Sequence, residues 1–221
     1  MIESMLLPSK KSGGEVVIDI NWKGAGQGSK QIVDHTGRTW IWQSPVSEAR
    51  VVGSDRGPVW VNIGDRFAIT PVTPDLELQG KNFTIETEFK PRTNSLIAIG
   101  GTGDNNRGIT PGISITLNQY PTAWVQAFVQ TEKSGYARLL PAAKYEENWV
   151  RAIVKREVGV GLTMDLYHDD IDPTTPFASH AIKDADLGNG NGSWYLFGMP
   201  NSPGQWIYDG YLNFYKVTVE D

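Results

Sequence analysis

The chain is written in short runs where apolar and polar residues alternate. "FTIETEFK" (83–90) is the cleanest: Phe83, Ile85, Thr87 and Phe89 fall on one side, Thr84, Glu86, Glu88 and Lys90 on the other. A period of two belongs to an extended strand with one buried face. The first set is therefore expected in the core, and the two glutamates on a solvated face. The same spacing predicts strands over 15–20, 38–43, 58–63, 66–70, 95–99, 113–118, 123–130, 136–140, 149–156, 161–167, 176–182, 193–198 and 207–219. Val150, Ala152 and Val154, and then Leu162, Met164 and Leu166, are the core-facing sets of two of them. In 58–63, Val59, Val61 and Ile63 oppose Trp60 and Asn62. In 123–130, four small apolar residues oppose Trp124, Gln126, Phe128 and Gln130. No window of helical length keeps a 3.6-residue apolar spacing free of Gly and Pro; "PAAKYEENWV" (141–150) comes nearest, offering a single turn.

Between these runs lie "DHTG" (34–37), "GTGDNNRG" (101–108), "DDIDP" (169–173) and "GNGNG" (188–192). Such residues tolerate positive φ or cap turns. Many short strands joined this way predict an all-β fold, with antiparallel sheets packed face to face as a sandwich. Nothing reads as an interdomain linker. "SKKSGG" (9–14) is the one flexible stretch, so residues 1–14 are expected to form an arm and 15–221 a single domain.

Composition narrows the partners. Hydrophobic residues make up 39% of the 221, enough for a sizeable core, and 24 Gly, 13 Pro and 8 Trp suit a large sandwich. The net charge of −5, with no basic cluster, argues against a nucleic-acid surface. There is no cysteine, which excludes disulfides and thiolate metal sites and leans towards a cytoplasmic site of synthesis. "MIESMLLPSKKSGG" does not read as a secretory signal, and no stretch approaches the roughly 20 apolar residues of a membrane helix.

The order of motifs resembles the laminin-G-like or concanavalin A-like jelly roll found in bacteriophage and bacterial surface proteins. "VDHTGRTW" (33–40) is similar to that family's early turn, and "NFTIETEFKP" (82–91) to its Phe-Thr-Ile-Glu strand. "LIAIGG" (96–101) is similar to the strand that follows. "NWVRAIVKREVGVGLTMDLYHDD" (148–170) resembles its paired late strands, and "YLFGMPNSPGQWIYDGYLNFYKVTVED" (195–221) its closing hairpin. The resemblance spans roughly residues 16 to 219. It departs after Gly210, where Leu212, Asn213 and Phe214 stand in place of the family's frequent aspartates, and at "YHDDIDP", which is longer than usual.

The resemblance implies a two-sheet antiparallel jelly-roll sandwich and several candidate chemistries. Jelly-roll glycosidases carry a tight acidic cluster on one strand, and retaining hydrolysis wants two carboxyls about 5–5.5 Å apart. Glu86 and Glu88 share a face but lack the third acid, so a glycoside hydrolase is the most distant reading and no catalytic residue is expected. The three histidines fit neither a hydrolase triad nor a zinc site. Calcium is the one cofactor the resemblance admits, at loop rims rich in oxygen ligands. Asp104, Asn105 and Asn106, and Asp169, Asp170 and Asp172, would be its ligands, although all also serve as ordinary turn residues.

Glycan binding is the leading expectation. Sugars stack on aromatic rings while amides take their hydroxyls. Trp124 with Gln126 and Gln130 has that character, and Trp60 with Asn62 is a second such face; Trp149 and Trp206 read as framework. The expected role is a non-enzymatic module of a phage particle (tail, adhesion or decoration protein), located in the virion. The arm 1–14 would meet other virion proteins, and homo-oligomerisation would cover edge strands. A purely structural decoration protein without a small ligand is the alternative. Neither nucleic acid nor membrane is an expected partner.

Overall fold

The computed structural model describes residues 14–43, 48–63, 67–92, 97–102, 112–118, 124–130, 136–139, 148–168, 171–184, 193–198 and 207–220. Among them the regular structure is β, apart from one 3₁₀ turn at Pro74–Leu76. The strands are β1 (Glu15–Asn21), β2 (Ile41–Trp42), β3 (Arg50–Ser54), β4 (Gly57–Asn62), β5 (Ala68–Ile69), β6 (Asn82–Pro91), β7 (Ile97–Thr102) and β8 (Gly112–Asn118). They continue with β9 (Trp124–Gln130), β10 (Tyr136–Leu139), β11 (Val150–Glu157), β12 (Gly161–Tyr167), β13 (Ala178–Lys183), β14 (Trp194–Leu196) and β15 (Gly210–Glu220). Every expected strand has a counterpart. One was missed: β3, whose "RVVGS" does not alternate, pairs with β4 across a turn closed by Gly57 at φ 86°.

Two antiparallel sheets form a jelly-roll sandwich. The first runs β13-β12-β11-β6-β15-β4-β3 with β1 added on β15; the second runs β10-β9-β8-β7-β14-β5-β2. The expected core residues Phe83, Ile85, Phe89, Val150, Ala152, Val154, Leu162, Met164 and Leu166 are all buried in one cluster from the first sheet. Ile113, Ile115, Leu117, Val125, Ala127, Trp194 and Leu196 face them from the second.

The long strand β15 keeps its apolar side inward only because it is bulged. Leu212 is core-facing, and so are Tyr215, Val217 and Val219, which lie at the opposite parity. The register slips between Leu212 and Phe214, placing the extra residue at Asn213. Without that slip one half of the strand would turn its apolar side chains to solvent.

An aromatic stack closes one end of the core. The Trp60 ring lies 5.8 Å from Trp22, 5.5 Å from Trp42 and 5.8 Å from Phe197, each pair nearly parallel. Phe197 adopts φ 66°, a region that non-glycine residues seldom visit. Stacking on Trp42, Trp60 and Tyr208 holds it there. Its backbone is pinned as well, by its N–H donating to Ile99 O and its carbonyl accepting from Tyr208 N.

The early turn 34–37 is likewise framework. Asp34 Oδ1 accepts hydrogen bonds from the N–H and hydroxyl of Thr36, Oδ2 accepts from Trp40 Nε1, and Gly37 sits at φ 82°.

Candidate functional site

The sequence proposed two ligand faces, and the structure treats them oppositely. Trp60 and Asn62 are not on an outer face. Trp60 is fully buried in the aromatic stack, and Asn62 is fully buried with its Nδ2 donating to Tyr208 O at 2.5 Å. The alternation along β4 was correctly read, but its polarity is inverted: Val59 and Val61 take the outer side. A stacked tryptophan gives the core more apolar area than a valine, so it wins the inward position.

Gln126 does lie on the non-core side of β9. Its neighbours Val125 and Ala127 belong to the core, and its register partner is Thr116 on β8. Gln126 Nε2 donates to Thr116 Oγ1 at 3.0 Å. The other end of that amide, Oε1, is buried with no hydrogen-bond partner among the described residues. Ser114 and Thr116 continue the polar row on β8, and both are buried. Ala98 and Tyr195 form a separate small apolar cluster on β7 and β14. Trp124 stands in register opposite Asn118 at one end of the β8–β9 ladder, and Gln130 opposite Gly112 at the other. The non-core side of the second sheet thus carries hydroxyls, an amide and a small apolar cluster, all buried, with Gln126 Oε1 unpartnered among the described residues. A buried polar atom without a partner is costly, so sites of this kind suit a ligand that supplies the partner.

The outer face of the first sheet is different in kind. Glu86 and Glu88 both point to it, but Glu88 is not solvated as expected. Its side chain is only 5% exposed; Oε1 accepts from Arg56 Nε at 3.0 Å, and Oε2 accepts from the amide of the bulged Asn213. The bulge in β15 therefore aims Asn213 at this carboxylate. Glu86 pairs with Arg151 at 3.1 Å, and the Arg151 guanidinium also covers the Tyr167 ring at 4.5 Å. Trp149 is framework, as expected: buried, with Nε1 donating to Asp55 Oδ1 at 3.0 Å and Arg56 over its ring. The acidic pair of "TIETEF" is committed to cross-strand ties.

Of the candidate calcium ligands, Asp104, Asn105, Asn106, Asp169 and Asp170 lie outside the described residues, as does Trp206. Asp172 is described and occupied. Its Oδ1 accepts from Thr174 N at 2.8 Å, Thr174 Oγ1 at 2.7 Å and Thr175 N at 3.1 Å. These bonds, the Thr174 hydroxyl first, hold its carboxyl well below the usual carboxylate range. No group of three metal-ligating side chains occurs among the described residues. Nor do the histidines converge: the His168 ring stacks on Phe177 at 4.0 Å, while His180 lies on the β13 edge strand.

A two-sheet β-sandwich is a scaffold shared by many binding domains, and solved structures confirm the fold across large sequence distances. The chain is similar to domain 4 of AbnA, an extracellular arabinanase of Geobacillus stearothermophilus solved in complex with arabinotriose. There the TM-score is 0.63, the identity 10%, and 93% of each chain is covered. It is also similar to the binding domain of botulinum neurotoxin serotype G, with TM-score 0.63 and 7% identity over 92% of this chain and 47% of that one. The type C toxin structure, whose cell entry depends on interaction with two ganglioside molecules, matches with TM-score 0.60 and 10% identity. The chain spans about half the length of these toxin domains, covering 47% of each. No protein-family model matches the chain. No curated protein matches it either.

Proposed function

We propose that this chain is a non-enzymatic carbohydrate-binding module of the concanavalin A-like or laminin-G-like type, seating a glycan against the non-core side of the second sheet. The observation that carries this reading is the open end of the Gln126 amide. It is buried beside the Thr116 hydroxyl, with Ser114 two positions further along β8, and lies two positions along β9 from Trp124. Sugar hydroxyls donate and accept in the directions such a row requires, and an indole gives a sugar ring its stacking partner. The complex of the arabinanase domain with arabinotriose supports the reading, since that domain shares the fold over 93% of its length. The commitment of Glu86 and Glu88 to arginine ties supports a binding rather than a hydrolytic role.

The test is a glycan array probed with the wild type, Trp124→Ala and Gln126→Leu, with melting curves as folding controls. A glycan retained by wild type and lost by both folded variants is the expected result. No glycan held by wild type would sink the reading.

We also propose that the module works in a phage particle, as a tail, adhesion or decoration component, with residues 1–14 as its attachment arm. The absence of cysteine and the family resemblance support this. Mass spectrometry of purified particles, together with the identity of the neighbouring genes, tests it.

A further inference from the structure

A groove of about 600 Å³ lies at the far end of the first sheet, on the opposite side of the sandwich from Gln126. Its size is that of small-ligand sites, which run at roughly 300–1,000 Å³. Asn82, Thr84, Lys155, Glu157, Val160 and Thr163 line it.

The strand register builds it. Lys155 on β11 lies directly opposite Thr84 on β6 and directly opposite Thr163 on β12, so a lysine flanked by two threonines forms one row across three strands. One step further along, Glu157 pairs with Gly161, and Gly161 with Lys183. Gly161 lets β13 pack closely against that second row. A Cβ there would come within 2.5 Å of Ile182 O, so no larger residue fits without moving β13. The β11–β12 turn raises Val160 as an apolar wall, 64% exposed. Asn82 Oδ1 accepts from Val158 N at 2.8 Å, which fixes the amide and leaves its NH2 to donate.

The charges of this groove contrast with the rest of its sheet. Arg56 and Arg151 on its outer face are both in ion pairs, as is Arg156 at the groove itself. Lys155 enters none of the ion pairs formed among the described residues. Glu157 and Glu220 line the same groove as Lys155 and Arg156, so its charges balance and neither an acidic nor a basic ligand is favoured. An extended peptide adding to a sheet edge could pair with β13, whose Ala181 and Ile182 form one rim of the groove, but would not reach the polar row, because Lys155 and Thr84 lie on interior strands. What remains is a neutral ligand carrying many hydroxyls, which donate to Glu157 and Glu220 and accept from Lys155 and Asn82, with one apolar face for Val160.

We infer that this groove is a second, independent carbohydrate site, selective for a short neutral oligosaccharide, and that the module holds glycans on both sides of the sandwich.

The experiment titrates arabinotriose, cellotriose and maltotriose into the isotope-labelled full chain and follows backbone amide resonances. At least one sugar should shift Thr84, Lys155, Gly161 and Thr163 in a saturable way. Lys155→Met should weaken that binding roughly tenfold or more, the scale of a hydrogen bond to a charged group. Thr163→Val should weaken it less. Neither should change any shifts around Thr116 and Gln126, which report the second-sheet site separately. Failure of all three sugars to move the four groove amides overturns the inference, whatever happens at Gln126. So does binding there that survives Lys155→Met with Thr163→Val.

Discussion

The outer faces of the two sheets use polar side chains for different ends. On the first sheet, around β6, β11 and β15, charges are matched across the outer face: Arg56 with Glu88 and Arg151 with Glu86. Each tie joins residues distant in sequence, so this face works as lacing. On the second sheet, around β8 and β9, the polar groups are uncharged and hydrogen-bond to one another, and one is left open at Gln126. A satisfied network specifies a fold, whereas an unsatisfied group is a cost the fold carries until something binds. The difference sets charged cross-strand ties against an uncharged row with one open end on one scaffold.

The largest disturbance should come from beneath both faces. Trp60→Ala removes the centre of the four-ring stack, and its cost is about 3–5 kcal/mol, read from denaturant unfolding. A Trp60 ring that touched ligand instead would leave stability nearly unchanged.

Next comes the lacing. Glu88→Ala removes the carboxylate that accepts from Arg56 Nε and from the Asn213 amide at a nearly buried site, and should cost about 2–3 kcal/mol. Equal losses from Glu88→Ala and Gln126→Leu would erase the contrast between the faces.

Gln126→Leu should change stability by less than about 1 kcal/mol, because one end of the amide is already unpartnered, yet it should abolish glycan retention.

The smallest effect belongs to the 171–177 loop. The depressed Asp172 carboxyl stabilises that turn above the ordinary carboxylate value of about 3.9, and this contribution is lost as pH falls through the lower folded value. Hydrogen-exchange protection at the Thr174 and Thr175 amides should therefore persist below the ordinary value, and should be absent at every pH in Asp172→Ala.

Much of the scaffold was legible in the chain because period-two alternation and turn residues are local signals. β6, β11 and β12 announced their core faces residue by residue. Three things were not legible, and each depends on something remote. The polarity of β4 is set by Trp22, Trp42 and Phe197, which only the fold brings to Trp60. The burial of Glu88 is set by Arg56 and by Asn213, the latter 125 residues away and re-aimed by a bulge that alternation cannot announce. β3 is a strand because β4 pairs with it, not because its own residues alternate. Of the candidate site, the Gln126 side of β9 could be read from its small apolar partners. The groove at Lys155 could not, because it exists only once three strands are in register.

One feature of the first sheet also governs how the protein comes into being. β15 pairs with β1, β6 and β4, setting Val219 against Glu15 and Phe83. The strand at the heart of this sheet is thus the one the ribosome delivers after all the others described. Until it emerges, β1 has no partner, β6 lacks one neighbour, and their apolar sides stay open. Closure joins residues some two hundred positions apart, the long-range pairing that makes β topologies slow to fold. A nascent chain must wait with these faces exposed until β15 has emerged, and a chain cut short before Gly210 has no way to close the sheet.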